Sequence, residues 1–176
     1  MRTTPTDPVL VGIGSNISPD RHIGAALSAL DDMGLLRAAS TVYRSPAIGL
    51  ADDAADFLNL VVRLEWEGDL RGLKARLGRI ETRLGRPAAA SPTWVSRTID
   101  LDVLVAGDLV GAYAERSSPV PHPDIERFAH VAVPLAELAG DRTHPVSGRS
   151  YAEIAASLDS SGLRPVGTAW TYRVGA

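Results

Sequence analysis

The chain contains no cysteine, which excludes disulfides, a thiolate nucleophile and Cys-ligated zinc; a reducing compartment is compatible with that absence. It also lacks a dominant charge: 18 Lys and Arg face 21 Asp and Glu, for a net charge of -3. No sequence-wide attraction to nucleic acid or to an acidic membrane is therefore expected, and any affinity for phosphate must come from a local cluster of arginines. Long apolar runs are missing as well. "VLVGIG" (9–14) is too short for a signal-peptide core, and no stretch reaches bilayer-spanning length, so a cytoplasmic location is expected. There is no internal repeat and no evident linker. With 176 residues, 45% hydrophobic and 22% charged, the chain reads as a single globular domain, 1–176, with a core of its own. Three families of motif are absent too: G-x-x-x-x-G-K-[ST], G-x-G-x-x-G and G-x-S-x-G. A nucleotide would not be held by a P-loop or Rossmann turn, and nothing points to acyl transfer. What remains open is phosphoryl-type chemistry run by a metal and arginines.

The segments that are present alternate in period. "VLVGIG" predicts a buried strand. "SPDRHIGAALSALDDMG" predicts a helix capped by Ser18 and ended by Gly34, with Ile23, Leu27 and Leu30 as its apolar stripe. Strands are expected over 40–46 and 57–66, where Phe57, Asn59, Val61 and Arg63 share one face. Leu70, Leu73, Leu77, Ile80 and Leu84 then recur at helical spacing, with Asp69 as N-cap and Gly85 as terminator. "RPAAASPT" (86–93) reads as an exposed, mobile loop, "WVSRTIDLDVLVAG" (94–107) as a strand, and 128–140 and 150–158 as further helices. This order predicts an α+β sandwich, helices packed on a largely antiparallel sheet.

The chemistry gathers around "RTIDLDVL". In a strand Asp100 and Asp102 share a face, about 7 Å apart. Two carboxylates so placed repel, and a hard divalent cation relieves the repulsion. Magnesium held by one or two carboxylates takes its other ligands from water and substrate phosphates. An acidic solvent face is the alternative, and the pair by itself does not exclude it. Arg86 and Arg97 flank the loop and suit phosphate binding, or simply solubility. His122, between two prolines, can donate to a phosphate or serve as a turn residue. Trp94 can stack on a base or fill the core, and Glu81, between Leu77 and Leu84, is an ordinary helix-surface residue on spacing alone. His22, His130 and His144 have no metal-site spacing.

Read in order, "GSN" (14–16), "YRSP" (43–46), "FLN" (57–59), "RIETRLGR" (79–86), "W..RTIDLDVLVAG" (94–107), "VPHP" (120–123) and "VPLAELA" (133–139) resemble the 6-hydroxymethyl-7,8-dihydropterin pyrophosphokinase family, from about residue 9 to about residue 158. The resemblance implies a ferredoxin-like α+β fold. It also implies transfer of pyrophosphate from ATP to the pterin hydroxymethyl group, with release of AMP, in folate biosynthesis. By the same resemblance Asp100 and Asp102 hold two Mg²⁺ ions along the triphosphate. Glu81, Arg86, Trp94, Arg97, His122 and Arg127 line the ATP side, while Ser45, Pro46, Ile48, Phe57, Asn59 and His130 line the pterin side. The expected partners are these small molecules, with no nucleic acid and no membrane, and the expected state is a monomer. Three departures stand out: "PAAASPT" is poor in basic residues, "WVSR" replaces W-G-P-R, and "ERFAH" replaces ERAF. The last puts His130 at the position of the second stacking aromatic and Phe128 at that of a phosphate-binding arginine, with Arg127 one place early. Either His130 or Phe128 closes the pterin pocket. Two functional alternatives follow: a non-catalytic pterin- or nucleotide-binding homologue, or the same chemistry on a differently substituted pterin.

Overall fold

The computed structural model describes residues 8–47, 54–86, 96–113 and 119–170. Along the chain lie β1 (Val9–Ser15), α1 (Pro19–Asp32), β2 (Leu36–Ala39), β3 (Thr41–Ser45), β4 (Phe57–Leu64), α2 (Leu70–Arg83) and β5 (Asp100–Ala106). A 3-10 turn (Pro123–Glu126), α3 (Ala129–Ala139), α4 (Tyr151–Ser157) and β6 (Arg164–Thr168) follow. The sheet has six strands in the order β5-β1-β4-β3-β6, with β2 also paired to β4, and every pairing is antiparallel. The core order β5-β1-β4-β3 interleaves two strand–helix–strand units, which is the ferredoxin-like arrangement.

The two-residue period of the strands divides the core between the two sheet faces. One face carries Val9, Val11 and Ile13 of β1, Leu58, Leu60 and Val62 of β4, and Leu101 and Val103 of β5, all buried with Leu27 of α1 and Leu77 of α2. The opposite face carries Leu10, Val61, Leu104 and Val105 under Leu135 of α3 and Ile154 of α4. Leu104 and Val105 can both reach this second cluster because the β1–β5 register slips between Leu10 and Val11, bulging β5. On α2 the predicted stripe is buried at Leu70, Leu73 and Leu77 (0% exposed each), worth roughly 1.5–3 kcal/mol per side chain. Asp69 caps this helix, its carboxylate accepting from Gly72 N–H at 2.7 Å.

Several expectations are corrected. Ser18 occupies the N-cap of α1 but adopts a left-handed backbone (φ 44) and makes no side-chain cap bond. β2 and β6 lie outside the strands that the sequence pattern predicts. β2 ("LRAA") lacks alternation, and β6 ("RPVGT") carries a proline and a glycine that an edge strand tolerates. The strand expected over 40–46 is split from β2 at Ser40, whose hydroxyl accepts the Val61 N–H at 2.9 Å in place of a ladder carbonyl. β4 stops at Leu64, and β5 begins only at Asp100, so Arg97 belongs to the irregular entry and not to the strand. No helix among the described residues is long and apolar enough to cross a membrane.

Candidate active site

Helices α3 and α4 cover only part of the second sheet face. Beyond them, β1 contributes Gly12 and Gly14, and the register sets out what lies beside each. Gly14 pairs with Asp100 on one side and Asn59 on the other; Gly12 pairs with Asp102 and Val61. Directly opposed residues in an antiparallel pair point to the same face. Asp100 and Asn59 therefore share a row, two strands or roughly 10 Å apart, with no side chain between them. A Cβ at Gly14 would come within 3.3 Å of Asn59 Oδ1 and 4.0 Å of the Phe57 ring. The glycine keeps a shallow floor open between the acidic strand and the Phe57–Asn59 strand.

On the acidic side, both Asp100 oxygens accept from guanidiniums, Oδ1 from Arg86 and Oδ2 from Arg97. Arg86 also donates to Glu81. It returns over Glu81 because Gly85 takes a positive φ (86°) just after α2. Glu81 is buried and accepts the Leu101 N–H at 2.7 Å. Seven residues earlier on the same helix, Lys74 donates from Nζ to the Leu101 carbonyl at 2.9 Å and to Asp102 Oδ1 at 3.0 Å. β5 is an edge strand, and α2 thus satisfies the outward N–H and C=O of Leu101 with a carboxylate and an ammonium. Burial, reinforced by the charge of Asp102, pushes the Asp100 carboxyl upward while Arg97 and Arg86 pull it back. Burial leaves the carboxyl above its ordinary range, while the two guanidinium contacts favour the anion. For Asp102, burial also opposes ionisation, but the Lys74 ammonium, together with His122 and Arg86, holds the carboxyl below its ordinary range. Among the described residues no group of three or more His, Cys, Asp or Glu side chains is arranged to hold an ion. The two carboxylates match the smaller protein share that magnesium takes when phosphates supply the rest.

His122 is buried and fixed from both sides. Its backbone N–H donates to the carbonyl of the bulged Leu104 at 2.8 Å, and its ring Nδ1 accepts from the Asp124 N–H at 3.2 Å. In the neutral ring the proton therefore sits on Nε2, which leaves a donor. Arg127 is exposed, lying 3.6 Å from Asp124 and over the Phe128 ring at 5.2 Å. His130 and Phe128 stack on each other, centroids 5.3 Å apart and planes at 19°, so the two act as one aromatic unit at the start of α3. Burial lowers the His130 pKa, with Asp124 acting the other way. The unfolded chain accepts that proton first, so the stability contributed by neutral His130 is lost as pH falls through about 6.5. Melting curves at pH 7.5 and 5.5 should show a larger acid-side loss for wild type than for His130→Gln; equal losses would refute this.

On the other side, Asn59 is buried and donates to Ser45 Oγ at 2.9 Å, beside the half-buried Phe57. A separate depression of about 250 Å³ is lined by Arg44, Pro46, Asp56, Gly162 and Arg164, and Ser45, Phe57 and Asn59 are not among its lining residues. Ile48, Trp94 and the 87–93 loop fall outside the described residues.

Two positions carry more than their sequence signal announced. Asn16 links the halves of the site: its Nδ2 donates to Ala55 O (3.2 Å) and Ser96 Oγ (3.0 Å), and its Oδ1 accepts from Arg97 N–H (2.7 Å). Ser15 Oγ also donates to Thr98 O. Asn16→Ala should lower stability by about 1–3 kcal/mol and kcat/KM at least about tenfold, measured by urea denaturation and initial rates; Asn16→Ala with wild-type values for both would discard the linking role. Lys74 is the other. A half-turn shift in helical phase would have made it one more surface cation, and only the packing of α2 on the β5 edge turns it inward.

A model of the family described as 7,8-dihydro-6-hydroxymethylpterin-pyrophosphokinase matches residues 10–140. The chain is 34% identical over 140 residues to the 2-amino-4-hydroxy-6-hydroxymethyldihydropteridine pyrophosphokinase of Haemophilus influenzae, covering 78% of this chain and 84% of that protein. Identity to the Pseudomonas aeruginosa protein of the same name is 34% over 158 residues, covering 88% and 94%. In fold it is similar to a Plasmodium falciparum HPPK-DHPS structure with pterin and p-hydrobenzoate, at a TM-score of 0.68 and 11% identity. That match covers 90% of this chain but 47% of the solved one, so the chain spans under half of that two-part protein. Family match, curated relatives and strand order agree: the chain belongs to the 7,8-dihydro-6-hydroxymethylpterin-pyrophosphokinase family.

Proposed function

We propose that this chain, acting as a single catalytic domain and a monomer in the cytoplasm, transfers pyrophosphate from ATP to 6-hydroxymethyl-7,8-dihydropterin in folate biosynthesis. The observation that carries this reading is the row Asp100–Gly14–Asn59, which sets an acidic, arginine-braced edge and a polar–aromatic edge on one open sheet face. Phe57 offers the flat bicycle a stacking surface, and Asn59 offers its ring edge a donor and an acceptor. Ser45, Pro46 and Ile48 belong to that pterin side, together with the Phe128–His130 stack. Glu81, Arg86, Trp94, Arg97, His122 and Arg127 belong to the ATP side.

In the proposed reaction the pterin hydroxyl oxygen attacks the β-phosphorus, the bond to the α–β bridging oxygen breaks, and AMP leaves. Asp100 and Asp102 would hold Mg²⁺, which when bound supplies positive charge to the triphosphate. Arg86 and Arg97, already beside Asp100, can turn their remaining N–H groups to phosphate oxygens that gain charge. The His122 Nε2–H adds a donor whose direction is fixed by the Nδ1 bond. No general base is assigned, because positioning and charge supply most of the effect in this class of reaction.

The test is AMP release from ATP and Mg²⁺ with the reduced hydroxymethylpterin. Release stoichiometric with pterin diphosphate is expected; folded protein without turnover would reject the reading.

A further inference from the structure

We propose that Lys74 is a positioning residue that serves as a resident counter-cation for Asp102. It holds that carboxylate in place before a divalent ion arrives and keeps the affinity for the free ion low. The inference rests on the reading of Asp100 and Asp102 as the ion-binding carboxylates.

Lys74 is the only lysine in the chain, the other Lys and Arg residues all being arginine. Its helix carries Arg71, Arg76, Arg79 and Arg83 as well, and all four are exposed. Lys74 alone is turned inward, its side chain 27% exposed. A guanidinium is a wide planar fork, whereas an ammonium is a compact point charge that can sit between two oxygens at the turn of a strand. Lys74 Nζ does this, bridging the Leu101 carbonyl and Asp102 Oδ1. Only Oδ1 is used; Oδ2 of Asp102 has no protein partner among the described residues. The carboxylate is thus oriented by one oxygen and presented by the other.

The charge balance gives the arrangement its consequence. Glu81, Asp100 and Asp102 are matched in number by Lys74, Arg86 and Arg97: Lys74 pairs with Asp102, while Glu81, Arg86, Asp100 and Arg97 form a second chain of ion pairs, and the Leu101 backbone joins the two. A free divalent ion entering this set meets a balanced site and the repulsion of a fixed ammonium close by. An ion that arrives on a triphosphate brings compensating negative charge with it. An ordinary edge-strand lysine would need only the Leu101 carbonyl; the second bond, to the carboxylate, is what couples Lys74 to the ion.

The experiment is Mn²⁺ binding without nucleotide, followed by electron paramagnetic resonance, on wild type, Lys74→Met, Lys74→Arg and Asp102→Asn. Removing the positive charge should tighten Mn²⁺ at least about tenfold in Lys74→Met. Lys74→Arg, which keeps the charge, should stay within a few-fold of wild type, and Asp102→Asn should weaken binding. Because the chain has a single lysine, its side-chain Nζ resonance is unique, and Mg²⁺ should shift it. Lys74→Met that binds Mn²⁺ no more tightly than wild type, or an Nζ resonance unmoved at saturating Mg²⁺, would overturn the proposal. Absence of Mn²⁺ binding in wild type and Lys74→Met alike would instead overturn the metal reading of the aspartates on which it rests.

Discussion

Replacing Asp102 with asparagine is expected to lower kcat/KM by at least about 10³-fold, while the melting temperature stays within a few degrees of wild type. Charge removal is the reason for the first effect: a neutral amide is a poor ligand for a hard cation, and charge stabilisation of a transferring phosphoryl group is usually the largest catalytic contribution. The small stability change follows from the partial exposure of Asp102, 40% at the side chain, and from its having one ion-pair partner among the described residues, Lys74. An amide oxygen can still accept from that ammonium, and half-exposed pairs contribute about 0–1 kcal/mol. Asp100→Asn should differ in kind. Both Asp100 oxygens accept from guanidiniums, so an amide nitrogen there would face a donor with a donor, and stability should fall together with turnover. The comparison needs steady-state rates and thermal denaturation on both variants. Turnover within tenfold of wild type for Asp102→Asn would remove the pair from the proposed chemistry.

The largest stability effect is expected at Glu81. Glu81→Ala should cost about 3–5 kcal/mol, the usual loss when one partner of a buried pair is removed. In a chain of this size that lowers the melting temperature by roughly 6–20 °C. The side chain is 7% exposed. Truncation leaves the Leu101 N–H without its acceptor and frees Arg86, which also braces Asp100. Glu81→Gln keeps an acceptor for Leu101 and a partner for Arg86, so it should lose about half as much. Urea denaturation with a constant slope would give both values. If Glu81→Ala were as stable as wild type, the edge of β5 would have to be held some other way. Turnover of Glu81→Ala should fall too, since Arg86 and the start of β5 lose a common anchor.

Much of this arrangement was legible along the chain. The stripe Leu70, Leu73, Leu77 and Ile80 is a helix signal that packing only had to accept, and all four are buried. The two-residue period of "FLNLVV" put Phe57, Asn59 and Val61 on one face, and the observed register agrees with that. "RTIDLDVL" exposed its carboxylates by alternation. Less could be read where local patterns are weak. "LRAA" and "RPVGT" become strands because neighbours offer them ladder partners, Val62–Leu64 of β4 and Thr41–Arg44 of β3. Neither has a propensity that would announce it.

By itself, then, the sequence determined the secondary structure periods, the absence of thiol and P-loop chemistry, and the family, which the family model and the relatives bear out. Those depend on residue type and near spacing, which a chain carries openly. The tertiary structure alone decided who faces whom. Strand pairing brought Gly14 between Asp100 and Asn59, a bulge gave His122 the Leu104 carbonyl, and helix-to-edge packing turned Lys74 onto Asp102. Contacts between residues tens of positions apart arise from register and packing, and no local pattern encodes them.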